Sequence, residues 1–424
     1  MAINAFPKEI RVDFDNALEA YNDALVLSKA VTIKKTDMQA MERSGDVQWI
    51  TQPYVAQSFA GWDQTANFVP QTQLAVPATL SNIRSVPFIL SGLELRDMTQ
   101  GGNLKDAARQ KLASDINLSV MDEASKGTLV VKRTVAATGF DDIALCESIM
   151  NEQGIPMDGR YIGLGTRDYN GMVGNLAGRQ TVQGKVQNAY EKALVGEGVA
   201  NFDVLKLDYA SRLQAAGGGG GITISTLDTT GQYYRPTALT QGAGGQFSPT
   251  DNRFQTVTVS STTNVLAGDR FTIAALNAVH HITKRDTGQL KTFTVAQVLT
   301  GTTMVISPPI ITNQLLDSDS AAQYQNCVIN TKSATSAIVF LNTVAAAINP
   351  FWQYQSIALL PGKFVVEAGA GAEFMQAETD QGMQLTLTKQ WDIKTQKLLY
   401  RLDAFWGTVN LQPEMNGIML FNQT

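Results

Sequence analysis

Leu104 to Lys126 reads LKDAARQKLASDINLSVMDEASK. Leu104, Ala108, Leu112, Ile116, Val120 and Ala124 recur in it every fourth residue, which is the spacing of one helix face. The row predicts a single rod of roughly 34 Å at 1.5 Å per residue. Gly127 is expected to stop it, and TLVVKRTV, Thr128 to Val135, to follow as a strand. A second helix is predicted from Phe140 to Gln153, with Thr138 as N-cap, Asp141 answering three residues on and Gly154 closing it. Its apolar face is Ile143, Cys146 and Met150, so Cys146 reads as a core thiol.

Upstream, Phe6 to Val31 has the pattern of an amphipathic helix, with Leu18, Tyr21 and Leu25 on one face. From Val47 to Leu95 the period disappears and prolines stand at 53, 70, 77 and 87. Such a stretch is too long for a connection inside a compact domain; it reads as disordered or as an extended arm shaped by contacts elsewhere. Downstream, Arg160 to Gly198 is glycine-rich with helical pieces, and Gly217 to Gly221 is the strongest boundary in the chain, read as a flexible connection. Beyond it short alternating runs recur, Ile222 and Ile224, Val257 and Val259, Phe271 and Ile273, Phe293 and Val295, Met304 and Ile306, with turn residues between them. That is the grammar of a small all-β barrel or sandwich. After Asn349 the character is mixed again, and QLTLTKQW with KLLYRLDAFWGTVNL predicts a long hairpin from Gln384 to Leu411. The fold class expected is α+β, a mixed body interrupted by an all-β insertion.

The 424 residues exceed what one hydrophobic core sustains, so more than one compact unit is expected. Only 17% are charged against 44% hydrophobic, which suits a surface covered by other protein and excludes a disordered chain. A net charge of -5 argues against a tight grip on phosphates, although a container for nucleic acid needs no such grip. Cys146 and Cys327 are far apart and read as reduced thiols. No apolar run reaches a membrane span, and Met1 to Ile10 lacks a signal-peptide pattern, so assembly in the cytoplasm is the expectation.

Motifs for chemistry fail one by one. His280 and His281 are adjacent, and on a strand would point to opposite faces, so a polar turn or packing role is expected and no metal site. GRQTVQGKV, Gly178 to Val186, has one residue too many between its glycines and Val186 where a phosphate loop needs Ser or Thr. Glu367, Glu373, Glu378 and Asp380 are scattered without a nameable partner and read as solvated or interface charges. The expectation is no enzyme, no cofactor and no metal.

Other residues carry a resemblance. Met41-Glu-Arg-Ser44 with Trp49, Gly61-Trp-Asp63 with Thr65, and Leu95-Arg-Asp97 ahead of Ala107-Ala108-Arg109 stand in order. They are followed by Asp251-Asn-Arg-Phe254 leading into TVTVSSTT, Ala267-Gly-Asp-Arg270, and Phe351-Trp352. Over nearly the full length the chain resembles the coat proteins of short-tailed temperate double-stranded DNA phages, whose tailed-phage capsid fold carries a β-barrel insertion domain. The resemblance implies an N-terminal arm at 1–46, an extended loop at 47–95 lying over a neighbour, and a peripheral domain with the spine helix at 96–127. It further implies an axial domain at 128–219 and 346–380, the insertion barrel at 220–345, and the peripheral hairpin with the C-terminal tail at 381–424.

It implies a major capsid protein that assembles as hexamers and pentamers into an icosahedral shell around packaged DNA, touched weakly and without sequence preference. Its other partners would be a scaffolding protein during assembly, a portal protein at one vertex and, as a further candidate, a decoration protein; no membrane is involved. Trp62, Asp63, Arg235, Asp251 and Arg253 are the candidate inter-subunit contacts. One departure stands out. Ala238 to Thr250, ALTQGAGGQFSPT, is uncharged where the family carries an acidic loop reaching across a two-fold axis, so salt bridges there are not expected. The competing reading is a β-rich tail or glycan-binding virion protein, which leaves the spine helix and the long arm without a role.

Overall fold

The computed structural model describes residues 21, 25–34, 47–53, 55–68, 70–91, 98–177, 198–208, 210–218, 221–225, 232–242, 244–312, 319–330, 335–364, 373–379 and 381–424. The chain divides into two compact units, one of residues 1–48, 78–123 and 357–409, the other of 49–77, 124–356 and 410–424.

In the first unit the long helix α1 runs Met98–Ala124, 27 residues or about 40 Å. Ala108, Leu112, Ile116, Val120 and Ala124 of the predicted row are buried, as are Ala113 and Met121 beside them, while the side chain of Leu104 lies outside the described residues. The predicted hairpin is present as Gln384–Asp392 and Lys397–Asn410. It belongs to a six-stranded sheet in the order Thr32–Ile33, Ile357–Pro361, Lys397–Asn410, Gln384–Asp392, Glu373–Glu378, with Asn82–Ser91 also paired to Lys397–Asn410. Trp406 Nε1 donates to Ser119 Oγ at 2.8 Å, tying α1 to that sheet.

Three expectations change here. The segment predicted to stay helical to Val31 is a 3-10 turn at Leu27–Ala30 followed by the strand Thr32–Ile33, because the β-branched run Val31-Thr32-Ile33 favours extended backbone; Phe6 and Leu18 lie outside the described residues. The aperiodic stretch contains the strand Asn82–Ser91, in antiparallel register with Lys397 to Trp406. Glu373 and Glu378 have partners after all, Lys389 at 3.0 Å and Lys363 in close contact. Glu367 and Asp380 lie outside the described residues.

In the second unit a five-stranded sheet runs Leu129–Lys132, Asn416–Leu420, Asn349–Gln353, Arg160–Gly165, Phe202–Leu207. The helices α2 (Phe140–Glu152) and α3 (Thr166–Ala177) accompany it. Ile143, Cys146 and Met150 of α2 pack with Leu129, Ile162, Phe202, Phe351 and Met419 in one core. The cap of α2 differs by one residue from the expectation. Asp142, fully buried, accepts from Thr138 N at 2.7 Å and Gly139 N at 3.2 Å, since the helix opens one residue later than a Thr138 cap requires. Gly127 does not cap α1 through a left-handed turn; a Cβ there would stand 2.5 Å from the Asn416 carbonyl carbon, so its need for glycine is close packing.

The all-β module is a seven-stranded sheet in the order Gln255–Thr258, Thr303–Ser307, Asp286–Val298, Arg270–Val279, Thr335–Phe340, Thr223–Ser225, with Cys327–Ile329 also on Arg270–Val279. A bridge between Ile224 and Val259, with Ser260 N donating to Thr223 O at 2.8 Å, brings the last strand back to the first and closes a barrel. Its interior holds Val257, Phe271, Ile273, Phe293, Val295 and Ile306, with the rings of Phe271 and Phe293 stacked at 5.7 Å. The glycine run is not a free connection where it is described. A Cβ at Gly218 would meet the Phe340 ring at 2.8 Å, and one at Gly217 the Asn264 carbonyl oxygen at 3.0 Å. These glycines let the chain lie directly on the barrel.

Candidate functional site

The candidate contact residues fall into two kinds of environment. Trp62 and Asp63 sit in a turn between the strands Val47–Thr51 and Ala75–Thr79. Gly61, at φ +110°, starts the turn in the left-handed region that favours glycine. Asp63 Oδ1 then accepts from Thr65 Oγ1 at 2.6 Å and Thr65 N at 3.0 Å. Those two bonds hold the exposed Asp63 carboxyl below the usual carboxylate range. With the backbone fixed in this way, Trp62 is 106% exposed and Phe68 88%, two large aromatic side chains with no protein over them. The base of the loop is fastened: Thr72 O accepts from Tyr324 Oη at 2.8 Å, Gln52 N donates to Leu74 O at 2.9 Å, and Ala75 bridges to Asp251.

Asp251 and Arg253 are engaged within the chain. Arg253 N donates to Asp251 Oδ1 at 3.0 Å across a bend, and the guanidinium meets the same carboxylate through Nη2 at 2.7 Å and Nε at 2.9 Å. Nη1 continues to the Asn410 carbonyl at 2.7 Å. Asn252 between them accepts from Thr237 N at 3.0 Å and Tyr234 Oη at 3.0 Å, and donates to Thr237 O at 2.9 Å. Arg235, in the same stretch, is exposed. The structure therefore brings Asp251 and Arg253 together and to the foot of the loop strand, while Trp62 and Asp63 stand apart at its turn.

The uncharged stretch after Arg235 is a small hairpin of Leu239–Gln241 and Phe247–Pro249. Phe247 is 65% and Leu239 53% exposed on it, and Thr240 Oγ1 meets Thr250 Oγ1 at 2.6 Å.

The sequence reading missed a cluster of charges. His280 and His281 lie in the turn after Arg270–Val279, not on the strand. His280 Nδ1 accepts from Ile282 N and Thr283 N, both at 3.2 Å, while His281 Nε2 faces Glu414 Oε2 at 3.5 Å. Lys291 Nζ, from the barrel strand, approaches the same oxygen at 3.4 Å. Asn326 Nδ2 donates to Glu414 Oε1 at 2.5 Å. Burial holds the His281 imidazolium down to about 4, with Lys291, Lys284 and His280 lowering it further and Glu414 opposing them. One signal was available: Lys291, Phe293 and Val295 alternate on one face of the strand, so the lysine had to point toward the core and needed a buried partner. Glu414, far along the chain, carried no such mark. Among the described residues no group of His, Cys, Asp and Glu is placed to hold a metal ion, and no helix is long and apolar enough to cross a membrane.

Comparison with known proteins places these features in context. Solved chains similar to this one include one from Mycobacterium phage Che8, at 9% identity and a TM-score of 0.44, with 93% of this chain and 90% of that chain covered. Another is the capsid of the cyanophage P-SCSP1u, at 10% identity and a TM-score of 0.42, with 99% and 90% covered. The I-domain of the CUS-3 coat protein is 38% identical over 99% of its own length and 30% of this chain, with a TM-score of 0.22. The family model described as P22 coat protein, gene protein 5, matches residues 1–422. With its α+β fold, the chain therefore belongs to the P22 coat protein family and is a major capsid protein.

Proposed function

We propose that copies of this chain assemble as hexamers and pentamers into an icosahedral shell around packaged double-stranded DNA, built in the host cytoplasm on a scaffolding protein, with a portal protein at one vertex. The observation that carries the reading is the complete exposure of Trp62 in a turn whose backbone is held by Asp63 and Thr65. An aromatic side chain kept in water by a fixed turn costs solvation that a neighbouring copy can recover, and such residues dominate interface energetics. In this reading Trp62 and Asp63 dock the loop on the next subunit, and Arg235 meets a carboxylate there. Asp251 and Arg253 hold the base from which the loop projects. The hairpin with Phe247 and Leu239 makes an apolar contact where the family uses acidic residues. DNA touches the inner wall weakly and without sequence preference, which a net charge of -5 accommodates. No catalytic step and no cofactor belong to the reading.

The test is electron microscopy of the expressed full chain with and without a scaffolding protein. Closed shells are expected with it. Fibres or monomers under both conditions would favour the tail or glycan-binding reading.

A further inference from the structure

We propose that Glu414, Lys291 and His281 form a proton-sensitive latch that fastens the β-barrel to the five-stranded sheet, closed at neutral pH and released by acid. The geometry is specific. Glu414 lies in the Pro413–Met415 turn that leads into the sheet strand Asn416–Leu420, while Lys291 belongs to a barrel strand and His281 to a barrel turn. Around them the same seam is sewn by Thr292 Oγ1 to Thr128 O at 2.6 Å and Thr128 N to Pro413 O at 3.0 Å. His281 N donates to Gln153 O at 2.9 Å. Asn326 occupies one oxygen of Glu414, so the ammonium and the imidazole converge on the other, at 3.4 and 3.5 Å.

One carboxylate charge cannot balance two cations. With a neutral imidazole, Lys291 has the carboxylate to itself. A proton on His281 sets a second cation beside Lys291 in a poorly solvated seam, where like charges repel strongly. The other titratable groups facing the cluster are His280 and Lys284 from the same turn and Cys327 from the strand Cys327–Ile329. Lys284 adds positive charge, its Nζ donating to Gln325 O at 3.0 Å. Cys327 is a buried neutral thiol and offers no anion. The direction follows first from burial, which disfavours the imidazolium, with Lys291, Lys284 and His280 adding to it against the pull of Glu414. His281 ionises near 6.5 when released and near about 4 when latched. The released form therefore takes the proton first, and attachment is lost as pH falls from about 6.5 toward about 4. Glu414, which Lys291, His281 and Asn326 hold below the carboxylate range against the effect of burial, contributes its own loss only at lower pH.

The experiment is hydrogen exchange by mass spectrometry on the full-length chain between pH 7 and pH 4.5, corrected for intrinsic rates. Wild-type protection over 286–298 and 413–420 should fall about tenfold or more across that range, while α1 around Ile116 stays constant. His281→Gln should keep the protection at pH 7 and lose the fall. Lys291→Met, which leaves the protonated imidazole alone on the Glu414 oxygen, should shrink the fall, burial of the ring remaining, and serves if His281→Gln does not fold. Constant wild-type protection, or a fall of wild-type size in either variant, would overturn the latch.

Discussion

Arg270 Nη1 donates to the carbonyl oxygen of Gly127 at 2.6 Å, joining the first residue of a barrel strand to the segment just past α1. Nη2 takes the Ser125 carbonyl at 2.5 Å, and Thr294 Oγ1 is also in contact. Burial holds this guanidinium down to about 9, with Asp269 opposing, and it remains charged at neutral pH. Arg270→Met should therefore cost about 3 kcal/mol in urea unfolding of the soluble subunit, because two inward carbonyls lose charged donors. Arg270→Lys should recover less than half, since a single ammonium cannot span both.

Ile116 is fully buried in the α1 row. Ile116→Ala should open a cavity costing about 2 to 5 kcal/mol and leave a subunit that misfolds before it assembles. Lys111 and Asp115, outside that row, pair with each other at 2.7 Å. Alanine at either should change stability by less than about 0.5 kcal/mol. Shells of wild-type thermal stability from Ile116→Ala would mean that the row is not the buried face.

Gly417 sits where a Cβ would be 2.2 Å from Phe351 Cζ and 2.6 Å from Leu129 Cβ, inside the five-stranded sheet. Gly417→Ala should cost about 1 to 3 kcal/mol by overpacking. Adding Phe351→Leu should recover part of that loss in the same denaturation assay, the two sites being in contact.

Both cysteines are buried and free, and burial pushes the Cys327 thiol up to about 12 and the Cys146 thiol well above its ordinary value. The native chain should react with a thiol reagent at pH 8 only at the rate of unfolding, and the unfolded chain should give both equivalents at once. Fast labelling of the native protein would contradict the packing of α2 at Cys146 or of the barrel at Cys327.

Trp62→Ala should change the stability of the soluble subunit by less than about 0.5 kcal/mol, yet lower shell yield or the shell melting temperature. Equal losses in the two assays would assign Trp62 to its own subunit.

Regular patterns were the legible part. The α1 row, the Gln384 to Leu411 hairpin and the alternating barrel strands each repeat a spacing that only one backbone geometry satisfies. Asn82–Ser91 escaped because Pro87 lacks an N–H and breaks the strand signal; it is tolerated opposite Arg401 because the strand pairs on one side. The glycine run looked like slack chain, since nothing in five glycines reveals that Phe340 lies against one of them. At the candidate site, Asp251 and Arg253 were visible as opposite charges two apart, but their third partner, the Asn410 carbonyl, has no side-chain identity to read.

The bridge from Ile224 to Val259 has a consequence for a subunit stored at high concentration before use. A sheet with an open side offers a row of unpaired amides on which a stranger's strand can template, and the usual outcome is fibrous aggregate. A barrel whose last strand returns to its first presents no such row. On the barrel wall strand addition is closed off, and a neighbouring copy meets side chains there, contacts that break and re-form and so allow a misplaced copy to leave.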